Sequence, residues 1–198
     1  MLMEHEGRRP QVPESAYVAP TAVLCGDVRL GADSRILFGA VLTAESGSIE
    51  VGRRCIVMEN ALLRGRDSHP VVLGDHVLVG PHAHVNGARI ESEVFLATGV
   101  SVFPGALVGR GSEVRVNGVV HVNSRLEPDT TVPIGWVAAG DPASLFPPEA
   151  HEQLWQVQEP MDFPGTVFGL PRGEASMDRV CARYAERFGR HRGDRVLE

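Results

Sequence analysis

The stretch from Glu59 to Asn86 holds the side chains best suited to chemistry. His82 and His84 flank Ala83, and His69 precedes Pro70. Imidazole is a favoured ligand for zinc, and residues two apart on a strand share one side. His69, His82 and His84 are therefore candidate ligands for zinc or another divalent metal. Arg64 carries a permanent fork-shaped cation that can clamp a carboxylate or a phosphate. His84 or Glu59 could then serve as general base, with Asn86 beside it. Glu59 and Arg64 could equally neutralise one another across a subunit interface, an ion pair that specifies register more than it stabilises. Against the metal reading stands the placement of His82 in a turn, where histidines commonly bind nothing.

These residues need a scaffold, and the sequence supplies a repeat. Aliphatic residues recur six apart: Val18, Leu24, Leu30, Ile36 and Leu42, then Val51, Val57 and Leu63. The series continues through Leu73, Val79 and Val85, and again from Ile90 to Val132. Small residues often follow the anchor, as at Gly31, Gly52 and Gly74. Helical spacing is not sustained anywhere in this span. Period six fits short strands joined by tight turns, three to a triangular coil of about 18 residues. The expected fold is an all-β, left-handed parallel β-helix of hexapeptide repeats, with about seven coils, followed by C-terminal α-helices. The two interruptions, Thr43–Glu50 and Gly65–Val72, are expected as loops protruding at corners.

Because strand side chains alternate, residues flanking an inward anchor point outward. Arg64, Asn86, Phe103 and His121 then form one outward column, with His84 next to Asn86. Glu59, Pro81 and Thr98 stack on another face. His121 lies two coils from Asn86, roughly 10 Å at the strand spacing, and is read as surface or interface structure.

The expected organisation is a lead-in over residues 1–17, the β-helix over 18–146 and a helical extension over 147–198. Pro147 and Pro148 end the repeat and suit the start of a helix running to about Gln158. Residues 159–173 are expected to be irregular. Met177, Val180, Cys181, Tyr184 and Phe188 then fall at helical spacing, with Gly189 as a stop.

Composition narrows the function classes. The chain has 198 residues and a net charge of −6, which argues against a nucleic-acid partner. No apolar run approaches a membrane span, and residues 1–10 are polar, so the expected location is the cytoplasm. Cys25, Cys55 and Cys181 form neither a disulfide framework nor a CxxC pair and are expected as free thiols in packed positions.

From about Gln11 to Trp155 the chain resembles the γ-class carbonic anhydrase family. The resemblance rests on the repeat and on Phe38–Leu42, Ser48–Gly52, Pro70–Asp75 and Gly140–Ala143. It implies a homotrimer with metal sites shared between neighbours, each holding zinc or another divalent metal on three histidines. In register, the ligand positions fall on Arg64, Pro81 and Asn86. Thr43-Ala44-Glu45 stands where the family has an Arg-Gly-Asp turn, and Met58 and Glu59 stand where it has glutamine and aspartate. The expectation is a trimer without the usual zinc site or carbonic anhydrase activity, carrying a polar interprotomer pocket for a small anionic or carboxylate ligand. In that pocket Arg64, His84 and Asn86 of one chain would face Glu59 and His82 of the next. The alternatives are a carbonic-anhydrase-type lyase with a relocated histidine site, or a hexapeptide-type acyltransferase (a transferase) using an interface histidine.

Overall fold

A computed structural model describes residues 1–197. The chain winds as a left-handed parallel β-helix. Each hexad forms a strand of about two residues, and the anchor of each strand points inward. On the first face Leu42 pairs with Leu63, Leu63 with Val85, Val85 with Val102 and Val102 with Val120. The third face is a seven-stranded parallel sheet whose anchors Ile36, Val57, Val79, Leu96, Val114 and Val132 are fully buried. Removing one such side chain from water is worth roughly 1.5–3 kcal/mol. The anchors form one continuous aliphatic cluster along the helix axis.

The corners explain the residue types between anchors. Asn60, His82, Asn117, Asn123 and Asp129 each turn through a positive φ of 52–57°, a region that Asn and Asp tolerate better than most residues. Gly31, Gly52 and Gly74 stack at one corner. A β-carbon on Gly52 would sit 2.4 Å from the Gly74 carbonyl oxygen, so only hydrogen fits there.

The first interruption departs from expectation. Thr43–Glu50 is no protruding loop; it lies within one continuous strand, Val41–Val51. That strand pairs with Val23–Leu30 on one side and with Leu62–Gly65 and Val71–Leu73 on the other. A register shift between Gly26 and Val28 absorbs the extra residues. Gly47 makes this possible by lying directly against the Arg66 backbone. The second interruption does form a turn, closed by paired backbone bonds of 3.0 Å between Arg66 and His69.

The C-terminal part holds three α-helices: α1 (His151–Gln158), α2 (Phe163–Phe168) and α3 (Met177–Gly189). Helix α2 falls in the stretch expected to be irregular. Asp162 caps it by accepting from the Gly165 amide, Pro164 occupies its first turn, and Gly169 ends it at φ 68°. In α3 the predicted stripe is only partly used: Val180 is buried, whereas Met177 and Cys181 face solvent. Cys181 is thus not a packed thiol, unlike Cys25 and Cys55. After α3 the strand Arg195–Leu197 pairs antiparallel with Leu2–Glu4, which itself pairs with Val23–Leu30. Among the described residues, no helix is long and apolar enough to cross a membrane.

Candidate functional site

The first face carries an outward column, and strand register places its members. Cys25 pairs with Thr43, Thr43 with Arg64, and Arg64 with Asn86. Phe103 and His121 continue it, one residue after the paired anchors Val102 and Val120. The alternation rule therefore located this column correctly. What it could not show is the cover that the chain itself provides.

The C-terminal segment runs down this column as a ladder of aromatic rings. Phe163 sits 5.6 Å from Phe103 and 5.7 Å from His121, centre to centre. The ladder descends through Phe168, Tyr184 and Phe188, with successive ring centres 5.3–6.1 Å apart. It ends with the Arg64 guanidinium 5.5 Å over the Phe188 ring. Asn86 and His121 are consequently buried, each only 7% exposed. His121 is not a surface residue as expected, because Phe163 covers it.

Arg64 already has an acidic partner within its own chain. Its Nε lies 3.0 Å from a carboxylate oxygen of Glu45, and Arg187 holds the other oxygen at 3.0 Å. Arg187 also donates to the Ser46 hydroxyl at 2.7 Å. Both ion pairs are close but poorly aligned as hydrogen bonds, so Arg64 Nε and Glu45 Oε2 lack a directed partner. The acid beside Arg64 in one protomer is thus Glu45, not Glu59. Sequence spacing does not pair Glu45 with Arg64, because Glu45 lies in the segment expected to be a loop.

Further along the column, polar atoms are buried without partners: His84 Nε2, Asn86 Oδ1 and His121 Nδ1. Burial pushes the His84 pKa below the usual imidazole value, and the nearby Arg64 charge adds to this. Burial alone lowers His121. His69 is lowered by burial and by Arg66. All three rings are biased towards the neutral form.

Glu59, Pro81 and Thr98 stack at a different corner, linked by turn hydrogen bonds. His82 N–H donates to the Glu59 carbonyl, and Gly99 N–H to that of Pro81, both at 3.0 Å. This corner opens on an apolar groove lined by Met58, Leu78, Pro81, Phe95, Val116 and Ile134. His69 packs against Gly87, next to Asn86, and lines a cleft with Arg66, Thr166 and Phe168. One protomer therefore does not gather His69, His82 and His84; a set built from them needs a second copy. Among the described residues, the side chains that do converge as metal donors are His5, Cys25, His191 and Asp194, at the foot of the column. His191 and Asp194 are three residues apart, but His5 and Cys25 are far from them in the chain, so no spacing motif joins the four.

None of the three residues that the sequence resemblance aligns with metal ligands offers an imidazole, thiolate or carboxylate. Arg64 is a cation held by Glu45, Pro81 has no donor side chain, and Asn86 offers only an amide.

No family profile matches the sequence. Two mitochondrial proteins of Arabidopsis thaliana do match. Gamma carbonic anhydrase 1 is 30% identical over 159 residues, covering 77% of this chain and 56% of the plant protein. Gamma carbonic anhydrase 2 is 28% identical over 164 residues, covering 80% and 57%. This chain thus spans little more than half the length of those relatives. Among solved structures, a Bacillus cereus protein provisionally named an acetyltransferase superposes with a TM-score of 0.56. It is 22% identical, covering 80% of this chain and 90% of that one, and it speaks to the fold alone. By sequence this chain is similar to gamma carbonic anhydrases, and its fold is the left-handed hexapeptide-repeat β-helix.

Proposed function

We propose that the chain forms a homotrimer that does not hydrate carbon dioxide and holds a small anionic ligand in a polar pocket between protomers. The observation that carries this reading is Arg64. It stands where the resemblance places a metal-binding histidine, and Glu45 and Phe188 hold its guanidinium there. A dication at that position would meet a fixed positive charge, with Pro81 and Asn86 offering no compensating ligands. The apolar groove beside Glu59 and Pro81 supports trimer formation, since another protomer would cover it. The unpartnered atoms of His84 and Asn86 support a ligand, which would supply the missing hydrogen bonds. The free thiols suit a reducing compartment such as the cytoplasm.

Carbon dioxide hydration, measured with and without added zinc, tests the first half of the proposal. The expected rate is the uncatalysed one. Turnover that disappears in Asn86→Ala would overturn it. Light scattering tests the trimer, and a monomer would remove the interprotomer pocket. Thermal shifts with bicarbonate, small carboxylic acids and acyl-CoAs test the ligand, with stabilisation expected for at least one carboxylic acid.

A second reading, acyl transfer, rests on His84. Its buried Nε2 has no partner and its ring is biased towards neutrality, which suits a base accepting a proton from an acyl acceptor. Acyl-CoA turnover abolished in His84→Ala would favour this reading over a binding protein.

A further inference from the structure

We propose that His5, Cys25, His191 and Asp194 form a structural zinc site that clasps both terminal strands to the first coil of the β-helix. The site is separate from Arg64, Pro81 and Asn86 and does not depend on the function proposed above.

Three chain segments meet here. His5 follows the strand Leu2–Glu4, in a tight turn closed by backbone bonds of 2.9 and 3.0 Å to Arg8. Cys25 lies on Val23–Leu30 at the foot of the outward column. His191 sits in the turn after α3, and Asp194 immediately precedes the strand Arg195–Leu197. One potential ligand atom from each residue lies within 4.8 Å of all the others. The Asp194 carboxylate is the point of convergence. It lies 2.5 Å from His5 Nδ1, 2.8 Å from His191 Nδ1 and 3.4 Å from Cys25 Sγ. Tetrahedral zinc, with bonds of about 2.0–2.3 Å, sets its ligand atoms roughly 3.3–3.8 Å apart. Side-chain adjustments of about 1 Å would therefore convert the cluster into a ligand shell.

The donor types narrow the ion. Two imidazoles, one thiol and one carboxylate suit zinc, whereas magnesium and calcium prefer oxygen alone. Four protein ligands leave no position for water or substrate, which marks a structural site rather than a catalytic one. The charge also balances. On binding, the Cys25 thiol releases its proton to solvent, and thiolate plus carboxylate then neutralise the dication. Neutrality matters because the His5 and Asp194 side chains are only 3% and 4% exposed. A cleft lined by Cys25, Thr43, Glu45, Phe188, His191 and Asp194 gives an ion a way in.

Hydrogen bonding alone accounts for less of the arrangement. A thiol is a weak donor, yet Cys25 is aimed at an oxygen that His191 already engages. The His5 and His191 rings also stack at 4.5 Å, which brings both Nδ1 atoms to the same carboxylate.

The full-length protein, stripped with a chelator and titrated with cobalt(II) as a spectroscopic stand-in for zinc, tests the site. The expected result is one equivalent bound per chain, with a thiolate-to-cobalt charge-transfer band and a melting temperature that rises with metal concentration. Cys25→Ala should abolish that band. His191→Ala, at a half-exposed position and so less disruptive to folding, should weaken metal binding at least about 100-fold. Asn86→Ala should bind as the native chain does. Absence of the thiolate band in the native protein would overturn the proposal even if a variant failed to fold. So would binding unaffected by His191→Ala, or binding lost in Asn86→Ala, which would place the metal elsewhere on the column.

Discussion

The two ends of the outward column share one strand register and one kind of cover but differ in how their polar groups are satisfied. At one end the Phe163 ring from α2 lies over His121, and His121 Nδ1 and Asn86 Oδ1 are buried without partners. At the foot, Asp194 engages His5, His191 and Cys25 together. The β-helix presents both ends identically, so the difference comes from what the C-terminal segment brings to each coil. A regular solenoid supplies positions, and the segment laid across it decides whether a position becomes packing, an ion pair or a vacant hydrogen-bonding site.

The largest expected effect comes from breaking the satisfied end. Asp194→Ala leaves the buried His5 and Cys25 and the half-exposed His191 without their shared partner and should cost roughly 3–5 kcal/mol, as for a broken buried ion pair. Urea denaturation measures this, and a loss under about 1 kcal/mol would mean that the foot is no tighter than an exposed pair. A smaller cost follows from uncovering the other end. Phe163→Ala removes the ring over His121 and should destabilise by about 2 kcal/mol, less than a fully buried phenylalanine because Phe163 is only partly buried. NMR titration should then show the His121 pKa rising towards the ordinary imidazole value; an unmoved pKa would mean that Phe163 is not what desolvates it.

The mildest effect is pH dependence. His69, His84 and His121 all have folded pKa values below the unfolded value of about 6.5. The unfolded chain then binds more protons, so their contribution to stability is full above about pH 6.5 and is lost as pH falls towards the folded values. His84→Gln should flatten that decline. A decline just as steep without His84 would assign the titration to the other two rings.

The repeat was legible from its anchors because each hexad obeys a local rule, and Leu63, Val85 and Val102 fall where that rule puts them. Alternation likewise aligns Arg64 with Asn86, and the two are paired in strand register. The pairing of Glu45 with Arg64 was not legible because extra residues can enter a strand as a bulge as readily as they form a loop, and apolar spacing does not distinguish the two. The foot of the column was illegible for another reason. His5, Cys25 and Asp194 meet only through the return path of the C-terminal segment, a long-range contact that no local periodicity encodes.

The pairing of Arg195–Leu197 with Leu2–Glu4 has a consequence for how the molecule is made. Without Arg195–Leu197, Leu2–Glu4 presents an unpaired edge to every neighbouring nascent chain. The nascent solenoid therefore carries one adhesive rim until Arg195–Leu197 covers it. Premature termination anywhere after α3 would leave a stacked solenoid that is sound in its core yet prone to join its fellows end to end.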